Sequence, residues 1–310
     1  LSKPDIDAAK LWRLLGYPGG PPPGSGGRVI TVRQQPDFAV EEITVETSGG
    51  TVPGTLLRPY GDAEPLPAVL YCHAHGNRHE IGRRELVEGR PALLSAYGPV
   101  LAAAGFAVLC VDMPGFGSRQ IEGSESALSK AAHWHGRTLL GHMLADLSAA
   151  LDYLAARDDV DASRLAALGL SMGATHAYLL AALDERIGAC AHLCAFSNMR
   201  PLIESGAHDL HGPYMTVPGL LETCDLADIA ALIAPRLQLV CCGRLDPLTP
   251  AEAFDPALER LREAYRLAGA EDRLEFLISN DSGHAETPAM REAVLRLLRN
   301  LRPGATAPAD

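Results

Sequence analysis

The stretch at residues 165–177, "LAALGLSMGATHA", sets one serine between two glycines, after an apolar run and before a segment of helical composition. Gly169-Leu170-Ser171-Met172-Gly173 has the form G-x-S-x-G, a pattern that chance can produce in a chain holding 30 glycines. Its neighbours decide what it means. Upstream, "RLAALGL" (164–170) is the kind of short, nearly continuous apolar run expected of a strand buried on both faces. Similar runs recur as "PAVLYCHA" (67–74), "FAVLCVD" (106–112), "IGACAHLCA" (187–195), "RLQLVCCG" (236–243) and "RLEFLIS" (273–279). Between them lie helical periods. Leu140, Leu144, Leu147, Leu151 and Leu154 repeat at three and four residues, as do Met290, Val294, Leu297, Leu298 and Leu301. Strand and helix alternating in this way predict parallel β-α-β units in one sheet with helices on both faces.

The flanks of this pattern differ. Before it, "VITV", "EEITVE" and "GTLLRP" between Val29 and Pro59 read as an antiparallel meander turning at Gly49-Gly50. Residues 1–28 read as a short helix followed by the Gly/Pro run "GYPGGPPPGSGG" as linker, and 303–310 as a C-terminal tail. Residues 197–233 are too long for a plain connection and too irregular for one helix. They are expected to form a cap-like insertion over the carboxyl edge of the sheet. The predicted unit is therefore one α/β domain over 29–302.

In that frame Ser171 stands at the end of a buried strand, at a sharp turn into a helix. Glycines at 169 and 173 remove the Cβ atoms that would collide there. The hydroxyl is then exposed at the carboxyl edge, and the Met172 N–H points into the same space from a helix N-terminus that favours negative charge. This is the geometry of a nucleophile elbow. A serine hydroxyl needs a base, and the base needs an orienting acid. Asp246 in "CCGRLDPLTP" and His284 in "SNDSGHAETP" follow the last two predicted strands, giving the order Ser, acid, His. Asp281 is expected to shape the loop, and Asp225 and Asp228 to be solvated or to start a helix. The second donor for a tetrahedral oxyanion is expected in "LYCHAHGNRHE", with the Asn77 N–H beside that of Met172, and His73 or His75 as a support under the loop. Trp134, Tyr214, Met215 and Leu220 are the expected pocket walls, against the alternative that they pack the core.

Bulk properties exclude other classes. With 47% hydrophobic and 21% charged residues the composition is that of a globular protein. A net charge of -11 supplies no basic footprint for nucleic acid. No apolar run reaches the 18 residues of a membrane span. The seven cysteines have neither disulfide-framework nor zinc-site spacing, which points to a reducing, cytoplasmic compartment. The chain starts without Met, so a removed leader is compatible with it. The pairs His73-Ala74-His75 and His133-Trp134-His135 invite a metal reading, but that would leave the elbow serine without a purpose, so no metal and no cofactor is expected.

The motifs "HAHGN", "VDMPGFGSR", "GLSMGA", "GRLDPLTP" and "SGHAETP" resemble those of α/β-hydrolases over residues 30–302. The branch they resemble contains dienelactone hydrolases, acetyl xylan esterases and prolyl-oligopeptidase-like domains. The resemblance implies Ser171 as nucleophile, Asp246 as acid, His284 as base, and Asp112 as a brace. It also implies a serine esterase acting on a small, short-acyl ester. The alternatives are a prolyl-oligopeptidase-like peptidase or amidase, and a ligand-binding protein on a dead hydrolase. A homo-oligomer is compatible with all three.

Overall fold

Among the described residues of the computed structural model, 6–61 and 64–301, nine strands form one mixed sheet. The strands are β1 (Gly26–Gln34), β2 (Phe38–Thr47), β3 (Gly50–Pro59), β4 (Leu66–Cys72), β5 (Ala107–Val111), β6 (Val160–Leu170), β7 (Ile187–Leu193), β8 (Leu237–Gly243) and β9 (Leu274–Ser279). Their order is β1-β2-β3-β5-β4-β6-β7-β8-β9. The meander β1-β2-β3 is antiparallel and joins β5 antiparallel, while β5-β4-β6-β7-β8-β9 runs parallel. The six apolar runs and the three meander segments all became strands; the inner strands bury both faces, whereas β1 is a solvent-exposed edge held by its pairing with β2.

Two helical layers explain the apolar periods. On one face the helix Leu139–Ala155 buries Leu140, Leu144, Leu147, Leu151 and Leu154 beside the helices Met172–Leu183 and Ala251–Leu267. On the other, Tyr97–Ala103 and Pro288–Arg299 bury Tyr97, Leu101, Met290, Val294 and Leu298. Each such leucine contributes about 1.5–3 kcal/mol of burial. Thr138 and Thr287 start two of these helices, accepting from the N–H groups of Gly141 (2.9 Å) and Met290 (3.3 Å).

The N-terminal helix Ala8–Leu14 is docked rather than tethered. Leu11 and Leu15 are buried, the Thr138 N–H donates to the Leu15 carbonyl, and Gly24 N–H donates to Asp152 at 2.8 Å. Parts of the Gly/Pro stretch expected as linker thus lie against the helix Leu139–Ala155, at Tyr17 and Gly24, or enter β1 at Gly26. Residues 303–310, read as a tail, lie outside the described residues. The segment 197–233 folds into short helices Met199–Ser205, Leu220–Thr223 and Leu226–Ala230, the last capped by Asp225 and Asp228 in a reciprocal box.

The strand order places the site. β4 is flanked by β5 on one side and β6 on the other, so the chain reverses its direction of travel across the sheet there. Loops after β4 and β6 diverge at such a switch point and leave a crevice at the carboxyl edge. Cys72 pairs with Gly169, Leu170 with Leu193, Leu193 with Cys241, and Gly243 with Ser279, so these strand ends are nearly flush.

Candidate active site

Ser171 is the residue after β6 and precedes the helix Met172–Leu183, with φ 58° and ψ −125°. A non-glycine residue in that region carries backbone strain of order 1–3 kcal/mol. Its surroundings hold it there. The Ser171 N–H donates to Leu193 O at 2.8 Å, and its carbonyl accepts from Ala174 and Thr175. The two glycines are steric necessities. A Cβ at Gly169 would lie 2.2 Å from Gly173 O, and one at Gly173 would lie 1.9 Å from Cys72 O and 2.9 Å from His73 O. The elbow is therefore pressed directly against the end of β4.

Asp246 and His284 meet on the same edge. His284 Nδ1 lies 2.6 Å from Asp246 Oδ2, and Asp246 Oδ1 accepts from Leu248 N–H at 2.9 Å. The aspartate is buried while the imidazole keeps part of its surface open. Gly243 makes their approach feasible, since a Cβ there would meet Ser282 O at 2.3 Å. The His284 loop is anchored two residues on by Glu286, whose carboxylate accepts from Tyr97 OH (2.5 Å), Leu94 N–H (3.0 Å) and Arg291. Asp281 accepts from Ser279 Oγ within its own loop, as the sequence suggests. Three buried histidines are chemically unsuited to the base role. Burial pushes the rings of His176 and His192 down to about 3 and lowers that of His73.

The loop after β4 has a defined architecture. His73 Nδ1 faces Ala74 O at 3.1 Å and its Nε2 accepts from Met113 N–H at 3.2 Å, the supporting role anticipated for one of this pair. The Ala74 peptide is gripped at both ends: its N–H donates to Glu85 (3.0 Å) and its carbonyl accepts from Arg90 (3.0 Å), while Glu85 and Arg90 form a buried ion pair. Gly76 and Asn77 then take φ 53° and 54°, and Arg78 N–H closes a turn onto His75 O at 3.0 Å. That turn directs the Asn77 N–H back to His75 Nδ1 at 3.0 Å. Asn77, the expected oxyanion donor, thus has its N–H turned to the imidazole of His75 within its own loop. Among the described residues the backbone N–H groups of Met172 and His75 have no acceptor within hydrogen-bond reach.

Asp112 braces the neighbouring loop, accepting from Arg83 N–H (2.7 Å), Ser118 N–H (3.0 Å) and Ser118 Oγ (2.8 Å). The expected pocket walls divide. Met215 and Leu220 line a recess of about 430 Å³ in the 197–233 segment, together with Met199, Val217 and Leu226. His211 also borders it and reaches Leu248 O at 3.0 Å, next to the Asp246 loop. Tyr214 is instead buried, packed between the rings of His75 and His176. Trp134 is 89% exposed at the end of its helix, so its ring faces solvent. It sits on the last turn, where its side chain has left the buried face.

Sequence reasoning missed Glu85, Arg90, Glu125 and Glu286, all buried charged groups. One signal existed for Glu286, its position two residues beyond His284. The side chains of His75, His79 and Glu125 converge within 4.8 Å, a set that composition alone would assign to a metal. The hydrogen bonding disfavours this. A metal-ligating imidazole donates its other ring N–H outward, whereas the second nitrogen of His75 accepts from Asn77. The seven cysteines are free and buried, with burial raising their thiols.

No helix among the described residues is long and apolar enough to cross a membrane. A sequence model of the alpha/beta hydrolase fold matches residues 67–241. A Bacillus subtilis (strain 168) protein named "Putative hydrolase YtaP" is 35% identical over 292 residues, 94% of this chain and 97% of its own. Among solved structures, a glucuronoyl esterase from Solibacter usitatus superposes with a TM-score of 0.69 at 17% identity, covering 95% of this chain and 91% of that one. An acetyl xylan esterase from Paenibacillus sp. R4 gives 0.64 at 20% identity, with 96% of each chain covered. Motif, strand order and these likenesses agree, and the chain belongs to the α/β-hydrolase fold family.

Proposed function

We propose that the protein is a serine esterase of small carboxylic esters. The observation that carries this reading is the 2.6 Å contact of His284 with a buried Asp246 on the edge where Ser171 is held in strained backbone. In this mechanism Ser171 Oγ attacks the ester carbonyl and passes its proton to His284. Asp246 orients the imidazole and stabilises its charged form. The oxyanion is received by the N–H of Met172 and, in place of Asn77, by that of His75 on the clamped loop that follows β4. His284 returns the proton to the departing alkoxide, and water repeats the cycle to free the acid and Ser171. The chemistry asks for no cofactor or metal. The free cysteines make a cytoplasmic location part of the same proposal.

The test compares p-nitrophenyl acetate with the matching p-nitroanilide. An esterase releases p-nitrophenol, with an initial burst if deacylation is slow, and turns over the anilide at least a hundredfold less. Comparable rates on both would favour the peptidase alternative, and inertness toward both the binding-protein alternative. The esterase names of the structural neighbours support the first outcome.

The recess bordered by Met215 and Leu220 is assigned to the apolar part of the substrate. Narrowing it with Leu220→Trp should lower kcat/KM for p-nitrophenyl butyrate about tenfold more than for the acetate, since each methylene accommodated is worth roughly 1–3 kcal/mol. An equal effect on both esters would remove the recess from the substrate path.

A further inference from the structure

We propose that Glu125 is a positioning residue that fixes the oxyanion loop by tying the His75 imidazole to the backbone of the 197–233 segment. The proposal rests on the reading of the His75 N–H as an oxyanion donor. Glu125 opens the helix Glu125–Trp134 and is almost fully buried. One oxygen lies 2.7 Å from His75 Nε2, and the other accepts from the Tyr214 N–H at 3.0 Å. The Tyr214 ring stacks on His75 at 6.1 Å between centroids. Gly212 permits the close approach: a Cβ there would lie 2.6 Å from the Glu125 oxygen and 3.2 Å from His75 Nε2. Two separated parts of the chain therefore converge on one carboxylate.

The direction of each bond follows from the turn. Asn77 N–H donates to Nδ1, so that nitrogen carries the lone pair and the proton sits on Nε2, where it is donated to Glu125. The ring is held from both sides in one tautomer and one orientation. The backbone N–H of the same residue inherits that placement. Glu125 remains a carboxylate in this setting: burial opposes its charge, but the hydrogen bonds donated by His75 Nε2 and the Tyr214 N–H outweigh it and lower its pKa. His79 Nε2 stays 3.6 Å from Glu125, beyond hydrogen-bond reach, so His75 and Tyr214 keep the carboxylate to themselves.

Glu125→Gln tests this. An amide keeps the size but offers one accepting oxygen where the carboxylate offers two, so either His75 or Tyr214 loses its partner. Removing an oxyanion donor outright costs about 10²–10³ in kcat. A donor that is displaced but present should cost about 10–100-fold, with KM for p-nitrophenyl acetate changed less than twofold and Tm by no more than a few degrees. A boronic acid that adds to Ser171 should bind more weakly by about the same factor as kcat. An unchanged kcat, or a fallen kcat with unchanged boronate affinity, would overturn the proposal. Ser171→Ala run in parallel separates the two readings: if it leaves turnover intact, the esterase assignment fails first. Should Glu125→Gln not fold, ¹⁵N-histidine NMR of the unaltered protein decides, with the His75 signal assigned by its loss in His75→Gln. A protonated Nε2 and bare Nδ1 are expected, and the reverse tautomer overturns the proposal.

Discussion

Ser171→Ala should lower hydrolysis of p-nitrophenyl acetate by about 10⁵-fold while leaving the fold intact. The size follows from what is lost. Without the hydroxyl no acyl-enzyme forms, and the remaining assistance comes from substrate binding and the oxyanion donors, which together leave roughly 10³–10⁴ over water in comparable triads. The preserved fold follows from the site. The elbow is held by backbone contacts of residue 171, to Leu193, Ala174 and Thr175, and by the absence of side chains at Gly169 and Gly173. Alanine meets the same strained φ that serine tolerates, so stability should move by less than about 1 kcal/mol. Two readouts are needed: steady-state rates, and mass spectrometry after a phosphonate ester, which should add to the unaltered protein and not to the variant. His284→Ala should cost a similar factor, and the double variant little more, because groups that act as one unit do not add. Retained turnover in purified Ser171→Ala would remove the proposed nucleophile and the mechanism with it.

The parts of this site visible from sequence are those that the fold presents by local rule. A buried strand, a glycine, a serine and a helix start fix one another within a dozen residues, so Ser171 could be located without coordinates. Asp246 and His284 follow from order alone, because each lies shortly after a strand whose apolar run is unmistakable. All nine strands were visible in the same way, within a few residues at their ends. What sequence could not supply was the direction of a backbone group. Asn77 stands in the expected loop, and its N–H faces the His75 ring because Gly76 and Asn77 both take positive φ and the Arg78 bond closes the turn. Only coordinates show that. Tyr214 and Trp134 were equally opaque. One aromatic is buried because Glu125 and two imidazoles draw its segment inward, and the other is exposed because its helix ends there. Buried charges such as Glu85 and Glu286 carry no periodic signal, since their partners lie on distant segments.

Gly173→Ala should be the most damaging single-methyl change in the chain, destabilising it by about 3 kcal/mol or more and abolishing soluble expression if the margin is smaller. The added Cβ would stand 1.9 Å from the Cys72 carbonyl oxygen and 2.6 Å from its carbon, with His73 O at 2.9 Å. These are backbone atoms at the end of β4, a strand paired with β5 on one side and β6 on the other, so they cannot retreat without breaking a ladder. Nor can the helix withdraw, because Met172–Leu183 is buried along almost its whole length. Ordinary overpacking in a core costs about 1–3 kcal/mol when side chains can give way. Here backbone meets backbone, so the upper end or beyond is expected. Gly19→Ala is the matched control: a Cβ there has nothing within 4 Å and its φ lies outside the left-handed region, so its melting temperature should stay within about 1 °C of the unaltered protein. A loss of about 3 kcal/mol in a chain of this size corresponds to roughly 6–10 °C. Thermal denaturation of the pair therefore separates a steric demand at the elbow from a general sensitivity to lost glycine. If Gly173→Ala melted with the control, the contact between elbow and β4 would be looser than the geometry states, and the strained placement of Ser171 would need another source.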